Sequence, residues 1–382
     1  MLAFLFIPPE MIDIIPRYSF MDKVITILSL LIGIVSIMYY LKNDRKTVSS
    51  VRFLLAMLGL LVWLAFVNLV AGDSMALVRN IITMTRVSGY CSIILASYLF
   101  DEDDCFICGT FFYSLTVIVF NLYSQLHYGT HGLFYNRYLA GWQPIYVCGN
   151  ANRFALFFIF TMGISMCYIV RNRKSQMVIV PILAILLFSS FISLSDMAKI
   201  ITILMILGIV FSDSFILILV ERYRKVILFI AAAAAFWMIG LAGWKNQFVI
   251  DLVEHITDTR SFVIRGSLWN STINYALKSP LVGYGTGAYR IARNLHGEYQ
   301  SAHNTYLQIM TFGGLPALAL FMIITIIPFK IRRVAARTLY YIYVCVFLFL
   351  LVYLFEQNPF YPGYYAMLAL LVGETIYHPS EQ

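Results

Sequence analysis

Arg265-Gly-Ser-Leu-Trp269, Lys278-Ser-Pro280, Gly283-Tyr-Gly-Thr-Gly287 and Ser301-Ala-His303-Asn304-Thr-Tyr306 follow one another through the only long polar interruption of the chain, residues 244–304. On both sides of it the sequence is a succession of apolar spans, so this stretch divides the fold and gathers its reactive side chains. Loops carried on a rigid scaffold are where binding and catalytic groups concentrate. The function is expected there.

Of the 382 residues, 61% are hydrophobic and 12% charged, whereas a soluble globule needs about a quarter charged residues to cover its surface. The composition is that of an integral membrane protein and excludes a soluble enzyme. Apolar stretches of about 18 residues or more, enough to cross about 30 Å of hydrocarbon, fall at 24–41, 51–71, 75–100, 105–123, 154–170, 177–194, 200–220, 226–244, 305–329, 339–355 and, shorter, at 364–377. This predicts an all-α polytopic membrane protein of about 11–12 transmembrane helices, built as one domain over 1–382. A large extracytoplasmic loop, 245–303, lies between the eighth and ninth predicted spans. Pro8, Pro9 and Pro16 break the first twenty residues into short apolar runs without the basic start of a secretory signal, which reads as an interfacial segment or the twelfth span.

Basic clusters at 42–46, 171–174, 221–225 and 330–337 are separated by four, two and two predicted spans. All of these counts are even, so every cluster falls on one face, the cytoplasmic one. The long loop is thereby predicted outside, and the net charge of +8 is a topology signal, not a nucleic-acid footprint. Cys91, Cys167 and Cys345 lie within spans, which argues against a disulfide framework. No transporter-like internal repeat is visible.

Inside the loop, Leu268, Trp269, Ile273, Ala276 and Leu277 recur at helical spacing opposite Asn270, Ser271, Asn274 and Lys278. A helix is predicted over 266–277, ending before Pro280 and suited to a membrane surface. Gly283, Gly285 and Gly287 permit turns and close approach of backbone to a ligand, with their N–H groups expected to meet an anion. Asn304 is a good N-cap for the next span, which sets His303 at the mouth of a membrane helix. A helix N-terminus favours neutral imidazole and attracts phosphate. His303 is therefore either a general base beside a phosphate site or a polar interfacial cap.

Arg265 is the second candidate, because guanidinium forks bind phosphate oxygens in pairs; headgroup contact is the plainer reading. Asp196 and Lys199 sit at the outer end of a span, where charge is costly, either as an internal pair or as a site. Arg79 and Arg86 share a face of the third span at a spacing of seven, and Arg86 is the one assigned to a polar cavity. Arg290 and Arg293 read rather as solvated. Asp101-Glu-Asp-Asp104 falls on the cytoplasmic side and reads as a solvated turn, so no metal and no cofactor are expected. Gly283-x-Gly-x-Gly287 lacks the βαβ context of a dinucleotide site.

Taken in order, Arg265-x3-Trp269, Lys278-Ser-Pro280-Leu-Val-Gly-Tyr-Gly-Thr-Gly287, His303-Asn-Thr-Tyr-Leu-Gln308 and Thr311-Phe-Gly-Gly-Leu-Pro316 resemble the shared region of the O-antigen ligase and polymerase superfamily. Asn150-Ala-Asn152-Arg153 resembles a weaker element of that family. The resemblance implies metal-independent, inverting glycosyl transfer from an undecaprenyl-diphosphate-linked glycan, at the periplasmic face of a bacterial inner membrane. It implies that His303 activates the acceptor hydroxyl and that Arg265 holds the donor diphosphate. Lys199, Arg153, Arg86, Asn304, Tyr306, Trp269 and Arg290 make up the expected substrate-binding set. Where many members carry Ser-Arg, this chain has Ser195-Asp196 with Lys199 one turn later, so Lys199 either takes over that phosphate contact or the contact is absent. The acceptor is another lipid-linked repeat unit in a polymerase or lipid A core in a ligase, and the His303 motif leans to the polymerase. Membrane lipids and a chain-length regulator or flippase are the expected partners. A transporter or flippase is the rival from another class, and a non-catalytic partner of glycan enzymes is a third.

Overall fold

The computed structural model describes residues 20–43, 47–128, 134–136, 141–143, 151–172, 184–191, 196–210, 261–293, 299–330, 337–356 and 358–377. Its helices are α1 (Phe20–Lys42), α2 (Val48–Val70), α3 (Ser74–Leu99), α4 (Asp103–Tyr128), α5 (Ala151–Arg171), α6 (Asp196–Val210), α7 (Ser261–Lys278), α8 (Thr305–Ile326), α9 (Arg337–Val352) and α10 (Pro362–Tyr377). Residues 184–191 are also helical. Two short antiparallel ribbons join Phe134–Asn136 to Gly141–Gln143 and Ala292–Arg293 to Tyr299–Gln300.

Each of these helices except α7 overlaps a span expected from hydropathy; the expected span at 226–244 lies outside the described residues. Four stretches, Val48–Val70, Asp103–Tyr123, Phe154–Arg171 and Thr305–Ile326, are long and apolar enough to cross a membrane. Leu31, Val35 and Met38 on α1 and Leu55, Val62, Phe66 and Leu69 on α2 are exposed, which suits a face turned to lipid. This is a multi-pass membrane protein.

Local chemistry sets the helix ends. Thr47 and Asp73 cap α2 and α3 by accepting from Ser50 N (3.3 Å) and Ala76 N (2.9 Å). At the centre, α10 is buried on every side from Tyr364 to Val372, as an all-round apolar helix must be. Around it stand α2, α3, α5 and α9. The backbones of α1 and α3 touch at Gly33 and Gly89, where a methyl group on Gly89 would collide with Gly33; small residues let membrane helices approach this closely.

The bundle has two distinct ends, about 39 Å apart along the 26 residues of α3. At one end Arg171 pairs with Asp103, with Asp104 at 2.7 Å and with Glu374 at 2.6 Å, while Tyr98 donates to Glu374 at 2.9 Å. The Tyr39 and Phe100 rings, 5.7 Å apart, bring the C-terminus of α1 to the same end. Lys42 and Arg171, from two of the basic clusters, therefore share an end. The acidic turn is not simply solvated as expected: Asp103 is buried, because the last turn of α5 delivers a half-buried guanidinium that needs a counter-charge.

At the other end, α8 departs from the expected unbroken span. Gly313 (φ −137°, ψ 19°) and Gly314 (φ 67°, ψ −165°) interrupt it, with Pro316 two residues on. A straight helix would separate Tyr306 from Phe321 by about 22 Å, yet their rings lie 6.0 Å apart. The two halves of α8 fold against each other. The break frees backbone groups that must find partners in an apolar setting, and proline cannot donate to Phe312 O. Thr311 O, Phe312 O and Gly313 O instead accept from Tyr284 N (2.9 Å), Gly285 N (2.9 Å) and Trp63 Nε1 (2.7 Å), while Leu315 N donates to Pro280 O (2.7 Å).

This docking requires glycine at position 283. Its φ is +74°, and a Cβ would stand 2.8 Å from Gly313 N, Gly314 N and the Phe312 carbonyl carbon. Gly283→Ala is expected to cost about 3 kcal/mol or more, seen as a lowered melting temperature in detergent. Gly72, at φ +70° but with open space around it, is the control: Gly72→Ala should cost only about 1–2 kcal/mol.

Candidate functional site

The site forms where the first turn of α8 meets the connection between α9 and α10. Asn304 caps α8 by accepting from Leu307 N at 3.0 Å and donates its amide to Leu354 O at 3.1 Å. Thr305 N donates to Tyr353 O at 2.8 Å. The Thr305 hydroxyl donates to Glu356 O (2.8 Å) and accepts from Asn358 N (3.1 Å), while the Tyr306 hydroxyl donates to Leu350 O (3.0 Å). This lattice of bonds fixes the backbone on which His303 sits. His303 itself has φ 46°, a left-handed conformation costly for most residues, so its side chain leaves the chain in a direction an ordinary extended residue would not give.

Helix α7 supplies the arginine. It runs from Ser261 to Lys278, longer than the expected 266–277, and ends before Pro280 as expected. Trp269 is 1% exposed and packs against Leu307, Leu354 and Phe355, its ring 6.3 Å from that of Phe355. Arg265 stands one helical turn before Trp269, on the same face, and so lies over Phe355-Glu356. Burial weakens the hold of Arg265 on its proton, while the Glu356 carboxyl opposes that shift. Burial first, and then the Arg265 guanidinium, push His303 down to about 4. At neutral pH the site presents an uncharged imidazole, able to accept a proton, beside a guanidinium able to hold an anion.

Arg265 and His303, 38 positions apart in sequence, thus meet electrostatically, and Glu356 joins them. Sequence reading missed Glu356, although a signal was present: it is the only acidic residue between Glu298 and Glu374. Asn304, Tyr306 and Trp269 turn polar atoms or ring faces to the protein itself, and they hold the site in place. Lys199 is half-buried in the first turn of α6, beside the Ser190–Thr202 hydroxyl pair that links α6 to residues 184–191. Arg86 is buried on α3 whereas Arg79 on the same helix is exposed, so their spacing of seven does not give them one environment. Arg290 is exposed, and Lys278 lies 5.2 Å above the Tyr275 ring. Arg153 lies in the first turn of α5, its side chain outside the described set.

The glycine motif is not an open anion cradle. The N–H groups of Gly283, Tyr284, Gly285 and Thr286 donate to Ser279 O, Thr311 O, Phe312 O and Asn68 Oδ1 at 2.7–2.9 Å. The close approach that these glycines permit is to the protein itself: Gly283 to α8, Gly285 to Asn68 and Gly287 to Asp73. Among the described residues, no three His, Cys, Asp or Glu side chains gather into a group that could hold a metal.

No curated protein matches the chain. Residues 144–322 match a family model described as O-antigen ligase. The matched stretch contains Arg153, Lys199, Arg265, His303 and both docking motifs, and leaves Arg86 and Glu356 outside. Over that stretch the chain is similar to the O-antigen ligase family.

Proposed function

We propose that the protein is a glycosyltransferase that moves an oligosaccharide from undecaprenyl diphosphate to an acceptor sugar hydroxyl. The observation that carries this reading is the convergence of the start of α8, which bears His303, and the Arg265 turn of α7 on the same 354–356 segment. His303 accepts the acceptor's hydroxyl proton as the oxygen attacks the anomeric carbon. The bond from that carbon to the diphosphate oxygen breaks, and Arg265 offsets the charge growing on the departing diphosphate. The proton on His303 then passes to solvent or to the leaving group. A single displacement of this kind inverts the anomeric centre, and it calls on no metal.

Lys199, Arg153, Arg86 and Arg290 are proposed as further contacts to donor or glycan. A periplasmic site in a bacterial inner-membrane protein is part of this proposal; it is supported by Lys42 and Arg171 sharing the opposite end of the bundle, since basic clusters mark the cytoplasm. The preferred acceptor is another lipid-linked repeat unit. Lipid A core is the alternative.

The broken α8 gives the transporter reading one specific point in its favour, since transporters carry discontinuous helices. They carry them as pairs in corresponding halves, and among the described helices α8 is the one so interrupted.

Purified protein in liposomes, supplied with an undecaprenyl-diphosphate-linked repeat unit, separates the readings. Longer lipid-linked chains identify a polymerase. Transfer only when lipid A core is present identifies a ligase, and movement of the glycolipid between leaflets without transfer refutes the enzyme. In cells, deletion should leave short capped surface chains if the protein is a polymerase and long carrier-linked chains if it is a ligase.

A further inference from the structure

Glu356 lies in the connection between α9 and α10, and the fold buries it. It is 7% exposed. Its backbone carbonyl accepts from the Thr305 hydroxyl, two residues from His303, and its neighbour Phe355 packs on Trp269, one turn from Arg265. It therefore sits on the hinge point where α7, the start of α8 and the α9–α10 connection touch. A buried carboxyl in an apolar protein is costly unless a cation stands near it, and Arg265, one turn before the Trp269 that packs on Phe355, is near enough for the Glu356 carboxyl to act on it electrostatically.

We infer that Glu356 is a positioning residue that orients the Arg265 guanidinium, holding one edge of the fork so that the other faces His303 and the donor's diphosphate. The inference rests on the transferase reading above. An unheld guanidinium on a four-bond stem samples many rotamers and loses much of its rotamer entropy when it binds, whereas a fork already gripped on one edge is poised for a planar, two-point contact. Because Glu356 acts through Arg265, its contribution exists only while Arg265 is present. A purely structural role, in which Glu356 merely anchors Thr305, would be indifferent to Arg265, and that backbone anchor survives in Glu356→Gln.

The test is a double-mutant cycle on the full-length protein, with turnover of the undecaprenyl-diphosphate-linked repeat unit and binding of undecaprenyl diphosphate as readouts. E356Q is expected to lower turnover about tenfold to a hundredfold and to weaken undecaprenyl diphosphate binding, though less than R265Q does. In the R265Q background the same change should alter the residual turnover by less than about threefold. Wild-type turnover in E356Q, or an equal loss in both backgrounds, overturns the inference. Should E356Q not fold, E356D replaces it, keeping the charge but withdrawing it by one methylene. A loss in the Arg265 background that vanishes with R265Q supports the inference, and an equal loss in both refutes it. If wild-type protein transfers nothing, the transferase reading fails. If wild type transfers, His303→Asn does not, and E356Q behaves as wild type, only the role of Glu356 fails.

Discussion

Replacing His303 by asparagine is expected to lower glycan transfer by about 10² to 10⁴, the usual contribution of a positioned general base. Asparagine is the informative choice because position 303 has φ 46°, and asparagine tolerates the left-handed region better than most residues. The variant should therefore keep the bonds of Asn304, Thr305 and Tyr306, melt near the wild-type temperature and lose chemistry alone. Normal transfer by a well-folded His303→Asn protein would end the proposal for this residue.

The pH profile is a second readout of the same group. His303 is held down to about 4 from an ordinary 6.5, so the folded site stays unprotonated where free imidazole would not. The acid limb of the turnover profile should fall near 4, not near 6.5. Stability follows the same sign: between those values the unfolded chain binds more protons than the folded one, so the contribution of His303 is lost as pH falls through the window.

Replacing Arg265 by glutamine is expected to cost about 10² to 10³ in turnover, or about 2.7–4 kcal/mol, as loss of one transition-state donor does elsewhere. It should also weaken undecaprenyl diphosphate binding, whereas His303→Asn should leave that binding nearly unchanged. This difference divides the two roles: a base acts on the acceptor, and a fork acts on the leaving group. Arg265→Lys keeps the charge but not the planar pair of donors, and should restore binding more than turnover. Equal recovery of both would mean that point charge suffices.

Much of the membrane architecture was legible because hydropathy reports length and composition directly. The end of α7 before Pro280 was legible too, since proline constrains the residue before it. The break in α8 was not. Thr311-Phe-Gly-Gly-Leu-Pro316 lies in a stretch of high hydropathy, and an average over side chains is blind to where backbone hydrogen bonds go. Gly283 and Gly285 announced a close approach but not its partner, which is why they read as a ligand cradle when they are a joint within the chain. Arg265 and His303 were identified from motif and helix-end chemistry. Glu356 was overlooked because one carboxyl between two apolar spans forms no pattern. Arg79 and Arg86 show the limit of periodicity: it gives a direction around an axis, not the surroundings at each height along it.

The mutual completion of 280–285 and 311–315 means that neither segment has a finished hydrogen-bond inventory without the other. Chimeras with related chains will assemble only if the crossover points fall outside 279–316, or if both halves of the joint come from one parent. The 38 residues from 279 to 316 behave as one heritable cassette, and the arginine that precedes them reaches its histidine only when that cassette is intact.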